Sequence, residues 1–201
     1  MTVVEDIVVK RLGSVDYSAA WEAMRAFTKA RDESTPDELW LLEHPAVYTV
    51  GQGAPVPQAR NAIPVVKTDR GGDITYHGPG QAVIYTLVDL ARRSIKVKRF
   101  VWLLEQAVID LLGGRAERKA GAPGVYVDGA KIAALGIRVV RGRAYHGLSL
   151  NVDMDLSPFT AIDPCGYPGL RVTQMKDLAF SDSAERVGSR LSEILVERLD
   201  A

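Results

Sequence analysis

Asp128-Gly129 constrains this chain more than any other pair of residues. It stands between two β-prone runs, Val125-Tyr126-Val127 and Ala130-Lys131-Ile132-Ala133, and Asp-Gly flanked by such runs favours a two-residue hairpin turn. A two-residue loop sets Val127 against Ala130 and Tyr126 against Lys131. Arg141-Gly142 repeats the arrangement between Ile137-Arg138-Val139-Val140 and Arg143-Ala144-Tyr145-His146. Counting back in antiparallel register, Val140 faces Arg143, Ile137 faces His146 and Gly136 faces Gly147. Ala134-Leu135-Gly136 then lies beside Gly147-Leu148-Ser149. Glycines paired on adjacent strands leave room where side chains would otherwise stand, a slot suited to a slender apolar ligand. A one-residue slip would turn one strand over.

Helical periodicity appears in three places. Tyr17, Ala20, Trp21, Met24 and Phe27 form one stripe, with Ser14 or Asp16 available as cap. Phe100, Val101, Leu104, Val108 and Leu111 form a second, ended by Gly113-Gly114. Val187, Leu191, Ile194 and Leu195 form the third, from about Ser183, with Asp182 and Glu185 as a capping pair. Further strands are expected over Thr2–Lys10 (weakened by Glu5-Asp6), Leu39–Leu42, Val47–Val50, Pro64–Thr68 and Ala82–Val88. Gly51–Asn61 reads as loop. Strands and helices interspersed in this way predict an α+β fold, a mixed sheet packed with helices.

At 201 residues the chain is one domain over 1–201, able to bury roughly 70% of its unfolded surface. It carries 47% apolar and 25% charged residues with zero formal net charge. That balance favours neither nucleic acid nor membrane as partner. No uncharged apolar run approaches the ~20 residues of a membrane span, and no signal peptide is evident. A single cysteine, Cys165, excludes an internal disulfide and suits a reducing cytoplasm.

Arg70-Gly71-Gly72-Asp73-Ile74-Thr75-Tyr76-His77-Gly78-Pro79-Gly80-Gln81 packs four glycines, a proline, a histidine and an arginine into one stretch. Two turn-prone clusters flank a short strand. Two ordinary turns would read the same, but Arg70, Thr75, His77 and Gln81 also supply ligand-binding groups, and the pattern is not a phosphate loop. Cys165 lies in Asp163-Pro164-Cys165-Gly166-Tyr167-Pro168-Gly169. These flanks put the thiol on a turn, where a nearby cation would lower its pKa from ~8.5. Lys131, two residues past a hairpin tip, is one such cation; a solvated strand lysine would read alike. His44, His77, His146 and Cys165 lack metal-site spacing, so no metal is expected. A Cys–His hydrolase with His77 or His146 as base remains open on residue types alone. Arg92-Arg93-Ser94-Ile95-Lys96-Val97-Lys98-Arg99 reads either as a solvated helix entry or as a docking patch for an acidic partner.

The twelve-residue stretch resembles the signature of the octanoyl-acyl-carrier-protein:protein N-octanoyltransferase family, also called lipoate-protein ligase B. Glu43-His44-Pro45 through Thr49-x-Gly51, Lys131-Ile132-Ala133 through Gly136, and Pro164-Cys165-Gly166 are similar to that family as well, in the right order. Leu12-Gly13 leading to Asp16-Tyr17 adds a little. The resemblance implies a fold similar to the catalytic domain of biotin- and lipoate-protein ligases. It implies octanoyl (or lipoyl) transfer to a lysine of lipoyl domains through a thioester on Cys165, tuned by Lys131. Arg70 to His77, Ala134 to Gly136 and Gly147 to Ser149 would be the substrate-binding segments. The implied partners are acyl carrier protein and the lipoyl domains of 2-oxoacid dehydrogenase E2 subunits and glycine cleavage H protein. The enzyme would act as a monomer with no cofactor of its own. The rivals are an ATP-dependent lipoate- or biotin-type ligase and a noncatalytic ligand-binding domain.

Overall fold

The computed structural model describes residues 7–56, 62–162 and 169–201. Ten strands and three α-helices are described, with two short 3-10 turns at Ser157–Ala161 and Met175–Leu178: β1 (Val8–Ser14), α1 (Tyr17–Ala30), β2 (Glu38–Glu43), β3 (Val47–Val50), β4 (Val65–Lys67), β5 (Ile74–His77), β6 (Gln81–Leu87), α2 (Val97–Leu111), β7 (Glu117–Lys119), β8 (Ala122–Val127), β9 (Ala130–Val140), β10 (Arg143–Asn151) and α3 (Ala184–Asp200). They build two sheets. The larger has the order β1-β2-β6-β10-β9-β8-β7, the smaller β4-β3-β5. The larger is mixed: β1 runs parallel to β2 and the other pairs are antiparallel.

Alternation along the strands divides the core. Leu39, Leu41, Ala82, Ile84, Leu148 and Leu150 join Phe100, Leu104 and Val108 of α2 and Val187, Leu191 and Leu195 of α3 on one face. Trp40, Leu42, Val83, Tyr85 and Leu87, one residue out of phase, meet Tyr17, Ala20 and Met24 of α1 on the other. This is what a period of two on strands and 3.6 on helices requires of a sheet covered on both faces. A third cluster, with Tyr48, Val50, Tyr76 and Phe159, seals the outside of the small sheet.

Both hairpins have the expected register. Val127 pairs with Ala130 and Tyr126 with Lys131; Val140 pairs with Arg143, Ile137 with His146 and Gly136 with Gly147. Positive φ at Asp128 (47°) and Gly129 (76°), and at Arg141 (50°) and Gly142 (81°), is the type I′ geometry that matches strand twist.

Three local expectations need correction, and one is resolved. The first strand continues past Lys10 to Ser14, because parallel pairing carries it alongside β2 as far as Glu43; residues 2–6 lie outside the described residues. Of the two candidate caps for α1, Asp16 serves, accepting from the Ala19 N–H at 3.1 Å. Ser183 caps α3, while the Asp182 carboxylate turns to Arg186 and Arg190. The polar edge strand β7 carries no apolar alternation and was not expected.

The basic run is also partly structural. Asp37, its carboxylate fully buried, receives Arg31 at 2.6 Å, Arg92 at 2.7 Å, Arg93 at 2.5 Å and the Asp89 N–H at 2.8 Å. Burial pushes its pKa up, but these donors outweigh burial and hold it below the ordinary carboxylate value. Arg92 and Arg93 therefore tie α2's approach to the start of β2. Of the five charged residues in that run, only Lys96, Lys98 and Arg99 are exposed.

Candidate active site

The small sheet leans its β5 edge toward β9 and β10, and the gap between them is a narrow cleft. Ala134, Gly136, Gly147 and Ser149 form one wall, with Leu135 and Leu148 between them. Gly72, Asp73, Ile74, Thr75 and His77 form the other, and Tyr17, Val83, Tyr85 and His146 lie at the floor. The predicted segments are thus brought together. Gly71 and Tyr76 are exceptions and do not line the cleft: the Gly71 N–H is spent on the Ile137 carbonyl at 3.0 Å, and strand alternation turns Tyr76 outward against Tyr48 and Phe159.

The paired glycines act differently from a simple absence of side chains. A Cβ on Gly136 would stand 3.0 Å from the Gly71 carbonyl oxygen and 3.1 Å from Cδ of Arg70; one on Gly147 would stand 2.1 Å from the Ile84 carbonyl oxygen. Gly136 admits the 70–71 turn, and Gly147 lets β10 close onto β6.

Arg70 is the staple of the signature stretch. Its guanidinium donates to the Thr49 carbonyl at 2.6 Å, the Asp73 carbonyl at 2.8 Å, the Gly71 carbonyl at 2.9 Å and Thr49 Oγ1 at 2.9 Å. Gln81 accepts from Nδ1 of His77 at 2.7 Å and donates to Asn151 Oδ1 at 2.9 Å. The Gly80 N–H donates to the Glu43 carboxylate at 2.6 Å, joining the Gly-Pro-Gly turn to the Glu43-His44-Pro45 segment. The polar company of this stretch is largely consumed in shaping the wall.

The floor is a buried polar cluster. His44 donates from Nδ1 to the Val15 carbonyl and accepts at Nε2 from Tyr85, both at 2.6 Å. His77 accepts at Nε2 from Thr49 at 3.3 Å. Asp69 collects Trp21 Nε1 at 2.8 Å, Tyr145 Oη at 2.5 Å and His146 Nε2 at 2.8 Å. Adjacent strand residues normally point to opposite faces; φ of +60° at His146 brings His146 round beside Tyr145, their rings stacked with centroids 5.0 Å apart. Burial raises the Asp69 pKa, but hydrogen bonds from His146, Tyr145 and Trp21 prevail and hold it well below the usual carboxylate range. Tyr145 is pushed up to about 12, by burial first and then by Asp69. Sequence reasoning missed Asp69 and Tyr85 and assigned Tyr17 only to a core stripe; the one local clue was a carboxylate preceding Arg70.

All three histidines are held neutral. Burial is the main cause in each, lowering His44 and His146 and taking His77 to about 3. The unfolded chain takes up protons near pH 6.5 that the folded chain refuses, so stability present above 6.5 is lost as pH falls toward the folded pKa values. Each histidine contributes up to about 1.4 kcal/mol per pH unit. Thermal denaturation should show the melting temperature dropping by several degrees per unit between pH 6.5 and 5, and His77→Gln should flatten the slope. A melting temperature level over that interval would contradict the assignment.

Lys131 occupies a smaller hollow that shares Thr75, Ala134 and Ser149 with the cleft. It is 4% exposed. Its ammonium donates to the Pro123 carbonyl at 3.0 Å and stands 5.3 Å from the Tyr126 ring centroid. Its backbone is held from the far side, its N–H donating to the Arg171 carbonyl at 2.8 Å and its carbonyl accepting from the Thr173 N–H at 3.0 Å. Cys165 and its neighbours 163–168 lie outside the described residues. The chain on either side is described: Ile162 packs on the Tyr76–Phe159 cluster, and Val172 bridges to Lys131. Among the described residues no group of three or more His, Cys, Asp or Glu side chains could hold a metal ion, and no helix is long and apolar enough to cross a membrane.

Comparison with known proteins agrees with this architecture. The lipoyl protein ligase A/B catalytic domain model matches residues 16–195. The chain is 64% identical over 190 residues to an octanoyltransferase of Aromatoleum aromaticum, covering 92% of this chain and 82% of that one. It is 60% identical over 199 residues to an octanoyltransferase of Azoarcus, covering 96% and 88%. Among solved structures it is similar to lipoate-protein ligase A bound with ATP (TM-score 0.78, 16% identity, 97% of this chain and 86% of that one). Biotin protein ligase from Aquifex aeolicus in complex with biotin and ATP is also similar (TM-score 0.61, 12% identity, 96% and 70%). At such identities the ligases share the fold alone, whereas the octanoyltransferases share most of the sequence. The chain belongs to the octanoyltransferase family of acyltransferases, built on the lipoyl protein ligase A/B catalytic fold.

Proposed function

We propose that this protein transfers an octanoyl group from acyl carrier protein to a lysine of lipoyl domains, those of 2-oxoacid dehydrogenase E2 subunits and glycine cleavage H protein, through a thioester on Cys165. The observation that carries it is the buried Lys131, in a hollow that shares Thr75, Ala134 and Ser149 with the narrow cleft, its backbone pinned to Arg171 and Thr173, just past the Cys165 segment. A free nucleophilic thiol suits the reducing cytoplasm, where the reaction is assigned.

The chemistry follows from charge and proton balance. With Lys131 as ammonium, Cys165 is held as thiolate, its pKa lowered by ~1–3 units. The thiolate attacks the carrier's thioester carbonyl; one C–S bond forms, the other breaks, and the two are close in energy. The departing carrier sulfur takes a proton from Lys131, which becomes neutral. The acceptor lysine amine then attacks the acyl-Cys165 carbonyl and gives a proton to Lys131. An amide forms, Cys165 leaves as thiolate, and the initial protonation states return. Replacing a thioester by an amide is downhill, so no nucleotide is consumed. The octanoyl tail lies in the cleft between the wall formed by 134–136 and 147–149 and the facing wall that ends in β5.

The test is transfer from octanoyl carrier protein to a lipoyl domain in nucleotide-free buffer. Full turnover without ATP is expected; an absolute requirement for ATP would transfer the assignment to the adenylating ligases of the same fold.

A further inference from the structure

We propose that Gly124 is a positioning residue for Lys131, keeping open the groove along which the lysine side chain lies, with Glu105 fixing Gly124 from the helix behind. This rests on the role given to Lys131 above. Gly124 has φ of +135°, a conformation in which side chains are strained. A Cβ there would stand 2.7 Å from Cε of Lys131, 3.1 Å from its Nζ and 2.9 Å from the Ala133 carbonyl oxygen. The first two contacts lie on the segment of Lys131 that ends in the ammonium, so any side chain at 124 displaces the charge. The carbonyl that receives that ammonium belongs to Pro123, the preceding residue. One stretch of β8 thus provides both the groove and the acceptor.

Gly124 is itself held. Its N–H donates to Oε1 of Glu105 at 3.0 Å, and Oε2 of Glu105 receives Arg118 Nε at 3.0 Å. Glu105 is 7% exposed in the middle of α2. The register between β8 and β9 shifts here, Tyr126 facing Lys131 while Val125 faces Ala133, and a shift of this kind re-aims a side chain. Arg118, Glu105, Gly124 and Lys131 form a continuous chain from the surface to the ammonium.

The experiment is a double-mutant cycle on the full chain, with Gly124→Ala, Lys131→Ala and the double variant. Two quantities are read: the octanoyl-transfer rate, split into kcat and KM, and the pH dependence of alkylation of Cys165, the chain's single cysteine. Gly124→Ala is expected to lower kcat by about 10–10²-fold with little change in KM. It should also move the alkylation midpoint up toward ~8.5, as Lys131→Ala does. In the Lys131→Ala background the glycine substitution should have no further effect on either quantity, since residues acting through one another are not additive. Wild-type rate and midpoint in Gly124→Ala would overturn the proposal, as would an equal loss in both backgrounds. If Gly124→Ala does not fold, Glu105→Ala takes its place: a smaller shift in the same direction is expected, and wild-type rate and titration would overturn the inference. Should Lys131→Ala itself behave as wild type, the relay fails first and this inference falls with it.

Discussion

Lys131→Ala should slow octanoyl transfer by about 10²–10⁴-fold, the usual scale for loss of a general acid–base group, while leaving a folded protein. The loss has two sources. Without the ammonium, Cys165 loses the charge proposed to hold it as thiolate, and without the amine, the incoming lysine loses its proposed proton acceptor. The first source should be rescued in part by raising the pH toward the ordinary thiol value of ~8.5; the second should not. Rates of enzyme acylation and of transfer to the lipoyl domain, measured separately in single-turnover experiments, distinguish them. The fold is expected to tolerate the change because both neighbours of the ammonium described here, the Pro123 carbonyl and the Tyr126 ring, belong to β8, which stays paired to β9 through its backbone. A Lys131→Ala protein with wild-type rates in both half-reactions would remove Lys131 from the mechanism.

Asp37→Asn should have the largest effect on stability. Three guanidiniums converge on this carboxylate, and two of them, Arg31 and Arg93, are largely or wholly buried. Removing this negative charge leaves the buried Arg31 guanidinium without its carboxylate and facing Arg92 and Arg93, of which, among the described residues, only Arg93 keeps a second carboxylate, Asp200. Breaking a buried pair from one side costs about 3–5 kcal/mol, which for a chain of this size lowers the melting temperature by roughly 10 °C. The pair between Lys176 and Asp153 is the contrast: both side chains are more than half exposed, and Asp153→Ala should shift the melting temperature too little to resolve. Equal melting temperatures for Asp37→Asn and wild type would show that the arginines find other partners. The same variant explains why the run at 92–99 is a poor place to seek a docking patch by neutralising Arg92 and Arg93: such changes would perturb this buried cluster.

What the sequence discloses here follows from how local each cause is. Hairpin register was legible because two residues of positive φ set it, and Asp128-Gly129 and Arg141-Gly142 advertise that geometry. The cleft walls followed from that register without any distance being known. Asp69 could not be found in the same way. Its three donors come from α1 and β10, and one reaches it only because His146 takes a left-handed conformation that no neighbouring residue predicts. The purpose of Arg92 and Arg93 was hidden for a related reason, since Asp37 lies more than fifty residues away in sequence. The glycines were found, but their cause was read too simply: Gly136 and Gly147 accommodate backbone from other elements. Polar β7 offered no periodicity to detect, and its strand character comes from pairing with β8.

The central claim is that the acyl group rests covalently on the single thiol, and intact-mass measurement tests it most directly. The protein is mixed with octanoyl carrier protein without acceptor or nucleotide, quenched in acid and digested for peptide mapping. One octanoyl increment on the peptide containing Cys165, released by hydroxylamine and absent from Cys165→Ser, is the predicted result. No covalent increment, or transfer to the lipoyl domain at full rate by Cys165→Ser, would contradict it.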